Sequence, residues 1–206
     1  MTSPSHFAAR VWIALGVIMA VFHIGLIFYG LVPNLVARPM HMALLLPWVF
    51  LYAPKSQAEW WFGLVITTIG VSGCIWIALN HQMLRNQYGF LEGGFQVALA
   101  ISLLAIAMEG ARRMIGWPLP MVALCALLYG LYGQHIAGEF GHAGTPLRSF
   151  LGTLVVAEGG LWGSLTGVSV GVVAIFVIFG AMLNAGEAGQ GFMNVASAAA
   201  GRLTGG

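Results

Sequence analysis

Long apolar runs, separated by short polar or proline-containing breaks, make up most of the chain. A helix needs about 20 apolar residues to cross a bilayer core of ~30 Å. The pattern therefore predicts six membrane-spanning helices, over residues 11–32, 39–53, 61–79, 95–115, 117–133 and 165–184. The second run is short and contains Pro47, which predicts a kinked helix whose freed backbone groups are satisfied by neighbouring helices.

One segment of the chain differs from these runs. Residues 147–163 are only partly apolar and carry Arg148 and Glu158 near their two ends. A segment this short predicts an amphipathic helix that lies in the membrane interface or re-enters the membrane without crossing it. A polar, glycine-rich stretch precedes it, and the alanine- and glycine-rich residues 186–206 predict the beginning of a further helix.

The composition limits the class of protein. Only 7% of the 206 residues are charged and 59% are hydrophobic, whereas roughly 25% of residues are charged in a soluble domain. So few charges could not cover a water-exposed surface, which excludes a water-soluble enzyme and a disordered chain. The net charge of +2 is too small for a nucleic-acid-binding face. We therefore predict an all-α polytopic membrane protein with about six transmembrane helices plus an amphipathic or re-entrant segment. It is surrounded by membrane lipid and has no nucleic acid partner.

Aromatic and basic residues predict how the helices sit in the membrane. Trp and Tyr are enriched at membrane interfaces, and here they lie near the predicted helix ends: Tyr29, Tyr52, Trp60, Trp61, Trp117, Tyr132 and Trp162. If six helices alternate in direction, one side carries Arg10, Lys55, Arg112, Arg113 and Arg202. The other side carries Arg38, Arg85 and Arg148. Because Lys and Arg are more frequent in cytoplasmic loops, the larger group predicts a cytoplasmic N-terminus.

Two acidic residues are candidates for a functional or structural role. Glu109 lies inside a predicted spanning helix, where an unpaired carboxylate is costly. Arg112 and Arg113 follow three and four residues later, on the same helix face. This spacing predicts a local ion pair, with a role in ion coupling as the alternative. Glu158, followed by Gly159, could line a cavity, cap the next helix or bind a cation directly.

Histidines and glycines offer further hypotheses. His23, His41 and His81 are predicted at unmatched depths, which favours interhelical hydrogen bonds over a haem held by two histidines. Gly163, Gly167 and Gly171 recur every four residues, which predicts a face that another helix approaches closely. The sequence contains no nucleophile–base pair and no zinc-binding or redox-active cysteine motif, so we predict no catalytic residues, no metal site, no cofactor and no enzyme activity.

From Glu109 onward the chain resembles the fused permeases of tripartite ATP-independent periplasmic (TRAP) transporters, in particular the TAXI type. The shared pattern begins with Glu, a basic doublet, Gly-Trp and Leu-Pro. It continues with a Tyr-rich helix end, a Gly-His-x-Gly loop, a Glu-Gly pair, Gly-Val-Ser and Phe-x-x-Phe-Gly-Ala, and it ends with Gly-Arg before Gly-Gly. The matching residues are Glu109, Arg112, Arg113, Gly116, Trp117, Leu119, Pro120, Tyr129, Tyr132, Gly141, His142, Gly144, Glu158, Gly159, Gly167, Val168, Ser169, Phe176, Phe179, Gly180, Ala181, Gly201, Arg202, Gly205 and Gly206.

The resemblance implies two domains and a transport function. Residues 1–115 would form a four-helix domain like the small subunit, and residues 116–206 would begin the large transport subunit. The latter would comprise a linking helix, the amphipathic segment, helix six and a truncated next helix. The implied activity is symport of a small organic anion, a carboxylate, across the bacterial inner membrane. Sodium would be the coupling ion, and the partners would be a periplasmic solute-binding protein and the remainder of the permease.

The end of the sequence gives a further expectation. In the family, the hairpins that hold sodium and substrate follow the point where this sequence stops, so we expect an N-terminal fragment that lacks the substrate site. Glu109, Arg112, Arg113, Glu158 and Gly159 are then structural or junction residues. The alternatives are a stand-alone membrane anchor or assembly subunit without transport activity, and a haem-carrying electron-transfer subunit.

Overall fold

A computed structural model describes residues 6–186 and 188–200, which are almost entirely helical and contain no strand. The first five α-helices are α1 (His6–Tyr29), α2 (Asn34–Leu51), α3 (Gln57–Leu79), α4 (His81–Asn86) and α5 (Gly93–Ile115). The next five are α6 (Pro118–Tyr132), α7 (Leu147–Val155), α8 (Ser164–Val168), α9 (Ala174–Ala185) and α10 (Ala188–Ala200). Short 3₁₀ turns lie at Gly133–His135 and Gly160–Trp162, and a π-helical turn, Ser169–Val173, joins α8 to α9.

Five helical stretches of the described chain are long and apolar enough to cross a membrane: Ala8–Tyr29, Asn34–Leu51, Gln57–Leu79, Gly93–Ile115 and Leu147–Ala185. The last of these is interrupted before Ser164, so its continuous part is the α8–α9 helix, residues 164–185. At 1.5 Å per residue this helix is about 33 Å long. The all-α membrane fold is confirmed. The predicted span at 117–133 forms the shorter helix α6, of 15 residues.

Contacts between helix ends define two ends of the bundle. At one, which we call the Arg113 end, the beginning of α3 meets the end of α5 through Glu59 and Arg113. At the other, the Arg38 end, the beginning of α2 meets the segment before α8, because Arg38 donates to the Trp162 carbonyl. The basic residues predicted for opposite sides of the membrane accordingly lie at opposite ends wherever the structure describes them. Arg202 lies outside the described residues.

The main core lies at the Arg38 end, where α2, α3, α5 and α7 converge. Trp162 is fully buried there, and its Nε1 donates to the Val155 carbonyl. The prediction of Trp162 as an interface residue is therefore wrong, because the turn before α8 folds this ring inward. Tyr29, at 84% exposed, and Tyr132, at 61%, keep the exposure that the prediction requires.

Close helix packing depends on glycines of α3. A Cβ atom on Gly63 would collide with the Phe50 carbonyl of α2, and one on Gly73 would lie 2.8 Å from Leu99 of α5. Of the glycines predicted to contact another helix, Gly167 meets the Arg38 side chain, whereas Gly171 has no neighbour within 4 Å. The prediction for Gly171 is wrong. The glycines of α3 at which another helix approaches closely are Gly63, Gly70 and Gly73.

The predicted boundary between residues 115 and 116 falls at a turn. Gly116 has φ +94°, a conformation that L-residues with a side chain rarely adopt. Helices on both sides of this turn contribute to the main core, with Leu103 before it and Leu151 after it. The division into a 1–115 domain and a 116–206 domain stays a prediction.

Candidate functional sites

The Glu109 carboxylate lies in an ion-pair cluster near the end of α5. Its oxygens accept from Nε and Nη2 of Arg112 at 2.6 and 2.7 Å and from Nε of Arg113 at 2.9 Å. These are the helix neighbours that the spacing predicts, and the two guanidinium groups share one carboxylate. The structure thus places Glu109, Arg112 and Arg113 together, and their role at a junction stays a prediction.

Arg113 extends this cluster to two further helices. Its Nη1 lies 3.5 Å from Oε1 of Glu59 in α3, and its guanidinium carbon lies 4.9 Å from the centre of the Phe50 ring in α2. Glu59 itself is held by the start of α3, because its backbone N–H donates to Ser56 Oγ and its carboxylate accepts from the Lys55 N–H at 2.7 Å. We call Glu59, Glu109, Arg112 and Arg113 the junction network.

Glu59 was not among the predicted site residues. A sequence signal for its position nevertheless exists, since Ser56 followed three residues later by Glu59 is the spacing of a helix capping box. That pattern locates the carboxylate in the first turn of α3. It gives no indication of the partner, because Arg113 lies far along the chain.

Glu158 lies at the Arg38 end and faces α2. Its Oε2 accepts from Asn34 Nδ2 at 2.7 Å, and the residue lines a cavity of about 650 Å³ together with Arg85 and Tyr88. The structure thus places Glu158 on a cavity wall. The tight turn that follows is made by Gly160, with φ +49°, rather than by Gly159. The roles of Glu158 and Gly159 stay predictions.

Two buried histidines meet between α1 and α2. His23 Nε2 lies 2.7 Å from His41 Nδ1, and the exposed fractions of the two residues are 1% and 4%. The prediction that they lie at unmatched depths is wrong, because His23 lies about two turns before the end of α1 and His41 about two turns after the start of α2. Since the two ring nitrogens touch, no iron fits between them, and this pair is not a bis-histidine haem site.

The hydrogen bonds of this pair continue in both directions. His23 Nδ1 lies 2.6 Å from the Met19 carbonyl oxygen. His41 Nε2 lies 3.3 Å from Oγ of Ser169, in the π-helical turn. We call His23, His41 and Ser169 the histidine relay. Within the described part of the chain, no group of three or more His, Cys, Asp or Glu side chains could hold a metal ion.

One comparison with known proteins gives a match. The family model described as "Tripartite ATP-independent periplasmic transporter, DctM component" matches residues 102–206, just over half of the chain. The matched region begins inside α5, so it contains Glu109, Arg112, Arg113, Glu158 and Ser169. Comparisons with the curated proteins and with the solved structures found no match.

Proposed function

Since the chain belongs to the DctM component family of tripartite ATP-independent periplasmic transporters, we propose that it forms part of a permease that imports a small organic anion, a carboxylate. A periplasmic solute-binding protein delivers the anion, and sodium is the coupling ion. The observation that supports this proposal most strongly is the family match over residues 102–206. It joins the end of α5, with Glu109, Arg112 and Arg113, to the α8–α9 helix in one family unit.

The chain is an integral membrane protein, and we propose that it crosses the bacterial inner membrane several times with its N-terminus in the cytoplasm. The clustering of Lys55, Arg112 and Arg113 at one end of the bundle supports this orientation, because Lys and Arg are more frequent on the cytoplasmic side. The Arg38 end then faces the periplasm. Asn34, Arg85 and Glu158 would lie at the surface that the binding protein approaches.

Within the permease, we propose that the described residues act mainly as a scaffold. Arg113 contacts side chains of both α2 and α3, and the core at the Arg38 end joins α7 to the same helices. Such packing favours a rigid body rather than a moving part. Sodium and substrate are then held by the remainder of the permease, which is the partner of this region.

The proposal is tested by uptake of radiolabelled mono- and dicarboxylates into cells that lack the native permease. Cells that express the complete permease containing this chain, together with its binding protein, should take up at least one of these anions. Cells that express only the 206 residues with the binding protein should not. Uptake by the 206 residues alone would contradict the scaffold role, and no uptake by the complete permease would favour the anchor alternative.

A further inference from the structure

The histidine relay joins helices from both sides of the predicted domain boundary: His23 is in α1, His41 in α2 and Ser169 in the α8–α9 helix. We propose that this relay is a binding site for a single proton inside the membrane-spanning part of the protein. The site goes beyond the transport role proposed above, and its test does not depend on uptake.

The directions of the hydrogen bonds in the relay follow from the Met19 carbonyl oxygen, which can only accept a hydrogen bond. The Met19 carbonyl has no proton, so His23 carries a proton on Nδ1 and donates to it at 2.6 Å. In a neutral His23 the Nε2 atom is then an acceptor, and His41 must donate to it from Nδ1 at 2.7 Å. The Nε2 atom of His41 is left as an acceptor for the Ser169 hydroxyl. Both neutral rings therefore carry their proton on Nδ1.

One additional proton fits this arrangement without loss of a hydrogen bond. A proton on His41 Nε2 turns that atom into a donor, and the Ser169 oxygen accepts from it after its hydroxyl rotates. Every contact between His23, His41 and the Met19 carbonyl stays as it was. Because the serine hydroxyl can donate or accept, the relay keeps its hydrogen bonds both in the neutral form and with one additional proton.

A second proton does not fit. With both rings protonated, N–H groups of His23 and His41 would point at each other across 2.7 Å with no acceptor between them. Two positive charges would also lie side by side in a buried site, where repulsion is strong. The pair therefore binds one proton, shared by two rings, and not one proton per ring.

Two cavities lie between α1, α2 and the α8–α9 helix, and the relay lines one of them. A cavity of about 630 Å³ is lined by His23, His41 and Ser169 and extends along α9 to Ala185. A second cavity, of about 190 Å³, is lined by Asn34, Arg38 and Gly167 and reaches the turn between α1 and α2. The relay thus borders the first cavity, whereas none of its three residues lines the second.

Few other charges face the relay. Among the described residues that line the two cavities, Arg38 is the one charged side chain, and its guanidinium donates to the Trp162 carbonyl. On α1 the other titratable residues with described side chains are Arg10 and Tyr29, near its two ends, and the α8–α9 helix contributes none. Among these residues no carboxylate pairs with a proton bound at the relay, so hydrogen bonds alone stabilise that charge.

The test is a nitrogen NMR titration of the full chain in lipid bilayers, with all six histidines labelled with ¹⁵N. His23→Gln and His41→Gln variants assign the two rings, and His81→Gln serves as the matched control. As the pH is lowered from about 8 to about 3, a range extended below the ordinary titration of histidine because burial disfavours a charged ring, the wild-type pair should take up one proton in total. At the alkaline end both rings should be protonated on Nδ1.

The variants test whether the two histidines bind their proton as a pair. In His41→Gln the remaining His23 should still take up one proton, so removal of a histidine should not lower the number bound at this site. In His81→Gln the number of protons taken up by the His23–His41 pair should stay at one, because His81 lies outside the relay and its ring nitrogen contacts the Ala78 carbonyl. If His41→Gln does not fold, the wild-type spectrum alone gives the count. Uptake of two protons, uptake of none, or neutral rings protonated on Nε2 would each overturn the proposal.

Discussion

Arg113, in the last turn of α5, lies with Nη1 3.5 Å from Oε1 of Glu59, in the first turn of α3. The same guanidinium binds Glu109 of its own helix and faces the Phe50 ring of α2. One side chain, only 13% exposed, therefore holds three helices together at this end of the bundle. Arg112 binds Glu109 as well, but its side chain is 36% exposed, and beyond α5 its guanidinium carbon lies 5.3 Å from the centre of the Trp117 ring.

This difference predicts unequal effects of two similar substitutions. Arg113→Gln should lower the free energy of unfolding by about 2 kcal/mol, the cost of losing hydrogen bonds to a charged group. Arg112→Gln should have a clearly smaller effect, because water screens its ion pair. Both are measured by denaturant unfolding of the purified chain in detergent micelles. Equal losses for the two variants would contradict the linking role of Arg113.

Two glycine substitutions should have effects of opposite sign. Gly63→Ala places a methyl group against the Phe50 carbonyl, and overpacking of this kind destabilises by about 1–3 kcal/mol. Gly180→Ala, in α9, adds a methyl group where nothing lies within 4 Å. It should stabilise slightly, because alanine favours helices over glycine by about 1 kcal/mol or less. Thermal unfolding of the two variants checks this, and a stable Gly63→Ala protein would refute the packing of α2 on α3.

A third prediction concerns the buried indole of Trp162. Trp162→Phe removes the donor to the Val155 carbonyl and should cost about 1–3 kcal/mol, the penalty of an unsatisfied buried acceptor. Trp61→Phe is the matched control, since Trp61 is 55% exposed. Its effect should stay within about 0.5 kcal/mol. The expectation fails if the two substitutions destabilise the chain to the same extent.

The proposed orientation is open to a labelling experiment. Cysteines are introduced one at a time by Lys55→Cys and Arg85→Cys, both at exposed positions, with the exposed Cys125 replaced by serine and the buried Cys74 retained. A membrane-impermeant maleimide should label the Arg85→Cys protein in cells with a permeable outer membrane. It should label the Lys55→Cys protein only after the inner membrane is opened. The reverse pattern would place the N-terminus in the periplasm.

Local patterns in the sequence predict the parts of this structure that depend on neighbouring residues. The ion pairs of Glu109 follow from helix spacing, and the long helices follow from apolar runs. The contact from Glu59 to Arg113, the burial of Trp162 and the His23–His41 pair depend on how distant helices meet. Spacing along the chain carries no information on these contacts, so the sequence alone predicts unmatched depths for the histidines and an interface position for Trp162.

The most direct test of the central claim uses proteoliposomes that contain the proposed permease with this chain as part of it. The substrate is the radiolabelled carboxylate that the cellular uptake assay identifies. Its uptake is measured with and without an inward sodium gradient, and with and without the purified binding protein. We predict accumulation only when both are present. Accumulation that needs neither sodium nor the binding protein would contradict the account, and so would its failure with both present.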